Sequence, residues 1–330
     1  MKNKNLISEE LNEEFYQISS EILSSFPKFR LPLNLYIFKE DIAQLVPYYR
    51  AMERLDKRKQ EELFELSNEG YIFVSRTDHP IYAKHISKQL DLVLVDKNLK
   101  PNEIVEVFKQ ALTNRVAEFY DQPVKPTLEK LQSDLLILVE YLWKDQFQIK
   151  SFLKNLHHNY SLPNMAYNTG ITGLALFIET QGNNLAKKHL AQIGLGLFTY
   201  DLGLARIPKF ILDKKENLTP DEQSKIHNHP INGAKILRKL DVTQSATLQC
   251  LLEHHEFIDG SGYPRKLSGS EISLQGGITS LAHTFNELLI KSNPRKSIKE
   301  TIDQLMSMEN KFNHNLIASL SRIFISELMK

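Results

Sequence analysis

The chain has one cysteine, Cys250, so no disulfide can form within it. That cysteine sits in the apolar run before His254 and reads as a small core residue of a protein kept in a reducing compartment. No stretch reaches the roughly 18 uninterrupted apolar residues of a membrane span. The opening Met1-Lys2-Asn3-Lys4-Asn5-Leu6-Ile7 is basic but lacks an apolar stretch of signal-peptide length, so a cytoplasmic protein without membrane insertion is expected. An excess of one charge is missing too. The 41 Lys and Arg against 40 Asp and Glu leave a net charge of +1, which provides no global field to recruit DNA or an acidic membrane. What is present is ordinary for a globular protein: 330 residues, 42% hydrophobic and 25% charged, enough for two domains with separate cores.

Residues 1–30 are polar and amphipathic, with Phe15, Ile18, Ile22 and Leu23 at helical spacing, and predict a short amino-terminal helical segment. Over residues 31–120 the character changes. Leu33–Phe38, Tyr71–Ser75 and Leu92–Val95 are strand-like runs, with helical stretches at Lys57–Asn68 and Pro80–Gln89, which together predict a small α/β domain. His79 and His85 stand six apart, not on one helix face, and read as surface histidines. Asp121–Pro126 breaks the chain, since a residue before proline is pushed out of helical geometry. Residues 121–154 then predict a linker and one long helix from Thr127 to about Leu156, carrying Leu128, Leu131, Leu135, Leu138 and Leu142. That helix could pack on the next domain or pair with its copy in a homodimer. From residue 155 to 330 the pattern is almost wholly helical. The fold class expected is therefore α+β, a small α/β domain followed by an all-α domain.

The chemistry concentrates in the helical part. Leu251-Leu252-Glu253-His254-His255-Glu256-Phe257-Ile258-Asp259-Gly260-Ser261-Gly262-Tyr263-Pro264-Arg265 places two adjacent imidazoles at a helix end and follows them with an acidic, glycine-rich turn. Adjacent helical residues point about 100° apart, so both rings serve one function only if something lies between them, such as a metal. The apolar run Leu190–Thr199 leads directly into Tyr200-Asp201, and an aspartate there is costly unless something positive meets it. Thr219 or Asp221 caps a helix starting at Pro220 that carries His227 and His229.

The His254-to-Arg265 stretch resembles the signature of the HD-GYP family, metal-dependent phosphodiesterases that open the bacterial second messenger cyclic di-GMP. The resemblance runs on through Ile207-Pro208, Phe210-Ile211-Leu212, Asn217-Leu218-Thr219, His229-Pro230 to Leu237, Leu281 to Leu288, and Asn293-Pro294-Arg295. It implies an HD-GYP-type helical domain at 155–330 holding two transition-metal ions, with iron favoured and manganese or zinc suitable. Carried over by position, Asp201 is the bridging, catalytic aspartate and His229, His254 and His255 are imidazole ligands. The other half departs from the family. Tyr200 stands for the histidine of the HD pair, His283 for a late aspartate, and Tyr167, or Asn168 beside it, for an early histidine; Leu204 replaces a phosphate-facing lysine. Tyr200, His283 and Tyr167 are the candidate ligands of the second ion, since phenolate is a hard donor and His283 restores an imidazole. Tyr263 and Arg265 would face substrate, with Arg206 able to take over part of the lost lysine's role. The resemblance implies cyclic di-GMP or a related nucleotide as ligand and diguanylate cyclase (GGDEF) domains as partners. Two readings stay open: a phosphodiesterase of impaired or altered activity, or an inactive nucleotide- or GGDEF-binding module.

Overall fold

A computed structural model describes residues 14–328 apart from 95, 97, 215–217, 293, 295 and 309, with side chains to residue 324. Residues 1–13 of the amino-terminal segment, Val95, Asn217, Asn293 and Arg295 lie outside the described residues. The chain divides into two units, residues 1–111 and 112–330.

In the first unit β1 (Phe15–Gln17), α1 (Ser20–Ser25), β2 (Leu35–Lys39), β3 (Gln44–Tyr49), α2 (Lys57–Glu69), β4 (Ile72–Ser75) and α3 (His79–Ile86) follow in order. The strands form an antiparallel sheet in the order β1-β4-β2-β3. β4 lies inside the sheet, and its four residues, rich in β-branched and aromatic side chains, are all buried. β3 carries Pro47 without harm because it is an edge strand, where a missing N–H breaks no ladder.

Three sequence expectations are corrected in this unit. Phe15–Gln17 is a strand, not part of a helix, because it pairs with β4 through Phe15↔Ser75, Tyr16↔Val74 and Gln17↔Phe73; Ser19 then caps α1. Leu92–Leu94 belongs to a 3-10 turn, Leu90–Leu94, closed by local bonds such as Leu92 N to Gln89 O at 3.1 Å. The two histidines are not surface groups. His79 is buried with neither ring nitrogen hydrogen-bonded, and His85 stacks on Phe26 at 3.7 Å while its Nε2 meets Ser25 Oγ at 3.0 Å.

α4 (Pro101–Asp121) carries the division between the units, and the break after Asp121 separates it from α5 (Lys125–Lys144). The long helix expected to reach Leu156 stops at Lys144. Asp145 takes an extended conformation, its Oδ1 accepts from Phe147 N at 3.0 Å, and the chain restarts as α6 (Ile149–Lys154). There follow α7 (Leu162–Gln181), α8 (Lys187–Thr199), α9 (Lys209–Leu212), α10 (Pro220–His227), α11 (His229–Lys239), α12 (Ser245–Glu253), α13 (Leu274–Lys291), α14 (Ile298–Ser307) and α15 (His314–Leu328).

α7 packs on α8, α8 on α12, α12 on α13 and α13 back on α7, which closes a ring of four helices around the core. α7 is buried at every position from Asn164 to Ile178, as an all-round apolar helix must be. The ring matters because its helices and their ends carry the polar residues singled out above. Asp201 follows α8, His254 follows α12, and His283 lies on α13. The 3-10 turn Leu202–Arg206 sits so close to the start of α11 that a Cβ at Gly203 would collide with the carbonyl of His229. That approach sets His229 against Asp201. With the antiparallel sheet of the first unit, the whole chain is α+β.

Candidate metal centre

Asp201, His229, His254 and His255 each offer one ligand atom, and these atoms lie within 4.8 Å of one another. His229 Nδ1 donates to the carbonyl of Ile226 at 2.6 Å, and His254 Nδ1 donates to that of Leu251 at 2.7 Å. A carbonyl only accepts, so both rings carry their proton on Nδ1 and a lone pair on Nε2. Those two Nε2 atoms are 2.9 Å apart and lie 3.2 and 3.3 Å from Asp201 Oδ1, which is buried and accepts no hydrogen bond. Three acceptor atoms converge with no proton among them. Buried polar atoms left this way are rare, and a cation at their centre satisfies all three, so the residues present fit a metal ion.

The electrostatics agree. Burial pushes His254 down to about 4 and His255 well below the usual imidazole value. Neutral rings at His254 and His255 are the protonation state a ligand requires.

On the other side of Asp201 the Tyr200 hydroxyl is already paired. The Tyr200 hydroxyl is hydrogen-bonded to His283 Nδ1 at 2.9 Å and lies 3.4 Å from Thr169 Oγ1. Burial raises Tyr200 well above the usual phenol range, so it stays a neutral hydroxyl. His283 Nε2 faces Glu287 at 3.9 Å, and the ring centres of His283 and His255 are 5.2 Å apart. Tyr167 is directed elsewhere, edge-on to His157 and Phe198, with its hydroxyl unpartnered and its pKa raised by burial. Asn168 is occupied as well, bonding the backbone N and O of His157 at 2.8 and 2.9 Å.

The loop after His255 is held by two glutamates to which the sequence reading gave no role. Buried Glu256 accepts the backbone N–H of Arg265 at 2.7 Å and of Leu267 at 3.0 Å. Buried Glu253 accepts from Arg265 Nη2 at 2.7 Å and from Ser273 N and Oγ at 2.9 and 2.6 Å. Gly262 packs so tightly on the backbone of His255 and Glu256 that no side chain fits there. The loop thus returns Tyr263, preceding a cis peptide to Pro264, to the cluster. Its ring stacks on His255 at 4.5 Å and on His227 at 4.3 Å. Arg265 is tied to Glu253, and Arg206 is exposed at the end of its 3-10 turn. His227 was visible in the sequence two residues before His229, yet nothing there tied its ring to Tyr263.

An aspartate and histidines brought together by helix ends define an HD-type domain, and the HD domain family model matches residues 144–316, just over half of the chain. Cyclic di-GMP phosphodiesterase PdeB of Borreliella burgdorferi is 31% identical over 192 residues, 55% of this chain and 48% of that protein. A 3'3'-cGAMP-specific phosphodiesterase 2 of Vibrio cholerae is 36% identical over 90 residues, 27% of this chain and 17% of that protein. This chain therefore spans at most about half the length of these relatives. Among solved structures, Bd1817, a HDG"Y"P protein from Bdellovibrio bacteriovorus, superposes with a TM-score of 0.63 over 94% of this chain and 99% of that one, at 14% identity, a likeness of fold. The chain belongs to the HD-GYP family of HD domains. Among the described residues no helix is long and apolar enough to cross a membrane.

Proposed function

We propose that the second unit binds one transition-metal ion at Asp201, His229, His254 and His255 and acts on the phosphodiester of cyclic di-GMP or a related cyclic dinucleotide, with impaired or altered turnover. The observation that carries this reading is the unpartnered Asp201 Oδ1 facing two imidazole lone pairs, in a chain whose relatives are named for such phosphodiesterases. Three imidazoles and a carboxylate suit iron first, with manganese or zinc acceptable, and disfavour magnesium and calcium. A single ion is favoured over two because the Tyr200 hydroxyl stays protonated and bonded to His283 Nδ1, so that side offers no phenolate and has His283 Nε2, facing Glu287, as its remaining donor. Tyr167 is left out of the ligand set on a different ground: its hydroxyl is unpartnered, but its ring is directed to His157 and Phe198 and burial keeps the phenol protonated.

An ion held there supplies Lewis-acid polarisation of a phosphoryl oxygen. The chain's own groups position the substrate around it. The Tyr263 ring is engaged by His227 and His255, and burial keeps its phenol protonated, so its hydroxyl is the group that can donate to a substrate oxygen. The cytoplasmic setting expected from the sequence suits such a nucleotide.

A second reading keeps the site for binding alone. It is favoured by Leu204 standing where the family has a lysine and by the exposed Arg265 and Lys266, on a loop secured by Glu253 and Glu256, which could meet a GGDEF-domain partner. Chromatography of products from cyclic di-GMP and 3'3'-cGAMP, with manganese or ferrous iron supplied, tests the choice. Slow appearance of the linear dinucleotide is expected; binding without any product under either metal would leave the second reading standing.

A further inference from the structure

Three residues on α13 form a ladder one helical turn apart: His283, Glu287 and Lys291. It starts beside the imidazole cluster, where His283 Nε2 faces Glu287 at 3.9 Å, and ends at Lys291 Nζ, which donates to Glu287 Oε1 at 2.7 Å. The same amino group lies over the ring of Tyr160, 4.7 Å from its centre. Burial opposes the charge on Lys291, but Glu287 and, beyond it, Tyr160 and the Asp201 carboxylate raise its pKa, so it is a cation within electrostatic reach of the candidate metal centre.

Arg265, Arg206 and Lys291 differ in how readily they can be released to a ligand. Arg265 is tied to Glu253, whose side chain is only 4% exposed, and removing it would strand a buried carboxylate. Arg206 is exposed at the outer end of its turn. Lys291 is bound to Glu287, 38% exposed, so water can replace it there at little cost, and its long stem lets the amino group swing. Tyr160, 51% exposed, leaves an aromatic face beside that swing.

We propose that Lys291 is the phosphate-binding cation of this site: Glu287 and Tyr160 park it at the rim, and it transfers from Glu287 to the phosphate of a nucleotide at the Asp201–histidine cluster. It thereby supplies a charge that position 204, a leucine, cannot. The inference rests on the phosphodiester reading above and adds a residue to it.

Calorimetry on metal-loaded protein with two probes, inorganic phosphate and cyclic di-GMP, tests it. Lys291→Ala should weaken both by about 10- to 100-fold, the range for a hydrogen bond to a charged group, with metal content and melting temperature unchanged. Lys291→Arg should restore most of the affinity. Glu287→Gln removes the competing carboxylate and should tighten phosphate binding by about two- to fivefold, a gain that must vanish in the Glu287→Gln/Lys291→Ala double variant if it acts through Lys291. Affinities within twofold of the parent for Lys291→Ala, or a gain that survives in the double variant, would overturn the assignment. Parent protein that binds phosphate but not cyclic di-GMP would sink the dinucleotide reading alone, leaving Lys291 to be judged on phosphate. Binding of neither probe would overturn both.

Discussion

The two sides of Asp201 use the same residue types to opposite ends. On one side His229 and His254 spend their Nδ1 protons on helix carbonyls and point bare Nε2 atoms at an aspartate oxygen with no partner. On the other, the Tyr200 hydroxyl is bonded to His283 Nδ1, and His283 Nε2 faces the Glu287 carboxylate at 3.9 Å. A buried polar group with an internal partner is already satisfied, while several acceptors converging on one point with no proton among them call for a cation. By that criterion the first side fits a ligand set, and the second keeps its hydroxyl for the core.

Breaking the first side should have the largest effect. His254→Ala removes one of the convergent nitrogens, and metal affinity should fall beyond the roughly 10- to 100-fold that loss of an outer hydrogen-bond partner costs. Competition with a chromophoric chelator measures this, and retained affinity would mean the ion lies elsewhere. Next comes the loop that returns Tyr263 to the cluster. Glu256→Gln replaces a carboxylate that accepts two backbone N–H groups with an amide that can accept with one oxygen only, so the fold should lose about 1–3 kcal/mol in denaturant titration, with metal retained. The smallest effect belongs to the second side. Tyr200→Phe leaves His283 Nδ1 without its partner and should cost about 1 kcal/mol of stability while metal content stays the same. A fall in metal content would make Tyr200 a ligand and erase the distinction between the two sides.

How far each feature was legible in the sequence follows from the range of the interactions that make it. Asp201, His229, His254 and His255 stand at helix ends within recognisable local patterns, and the structure places their ligand atoms together. The Tyr200–His283 bond joins residues 83 apart, so each substitution read alone looked like a donor swap, and only the fold reveals that the Tyr200 hydroxyl is spent on His283. Glu253 and Glu256 were equally plain as letters. Their work is on backbone N–H groups of a loop whose path cannot be known before folding. The helix break at Asp145 was hidden by a leucine pattern that continues past Leu142 into Phe152 and Leu153, whereas the local cap on Phe147 decides where the helix stops. Phe15–Gln17 has helical spacing with the residues after it, but strand pairing with β4 overrides so short a preference.

The most direct test of the account is the count of metal ions. Elemental analysis of protein purified without chelator, run beside Tyr200→Phe and a variant lacking both His229 and His254 imidazoles, should give one equivalent of transition metal for the parent and for Tyr200→Phe, and none for the double variant. Two equivalents in the parent, or one that persists without His229 and His254, would contradict it.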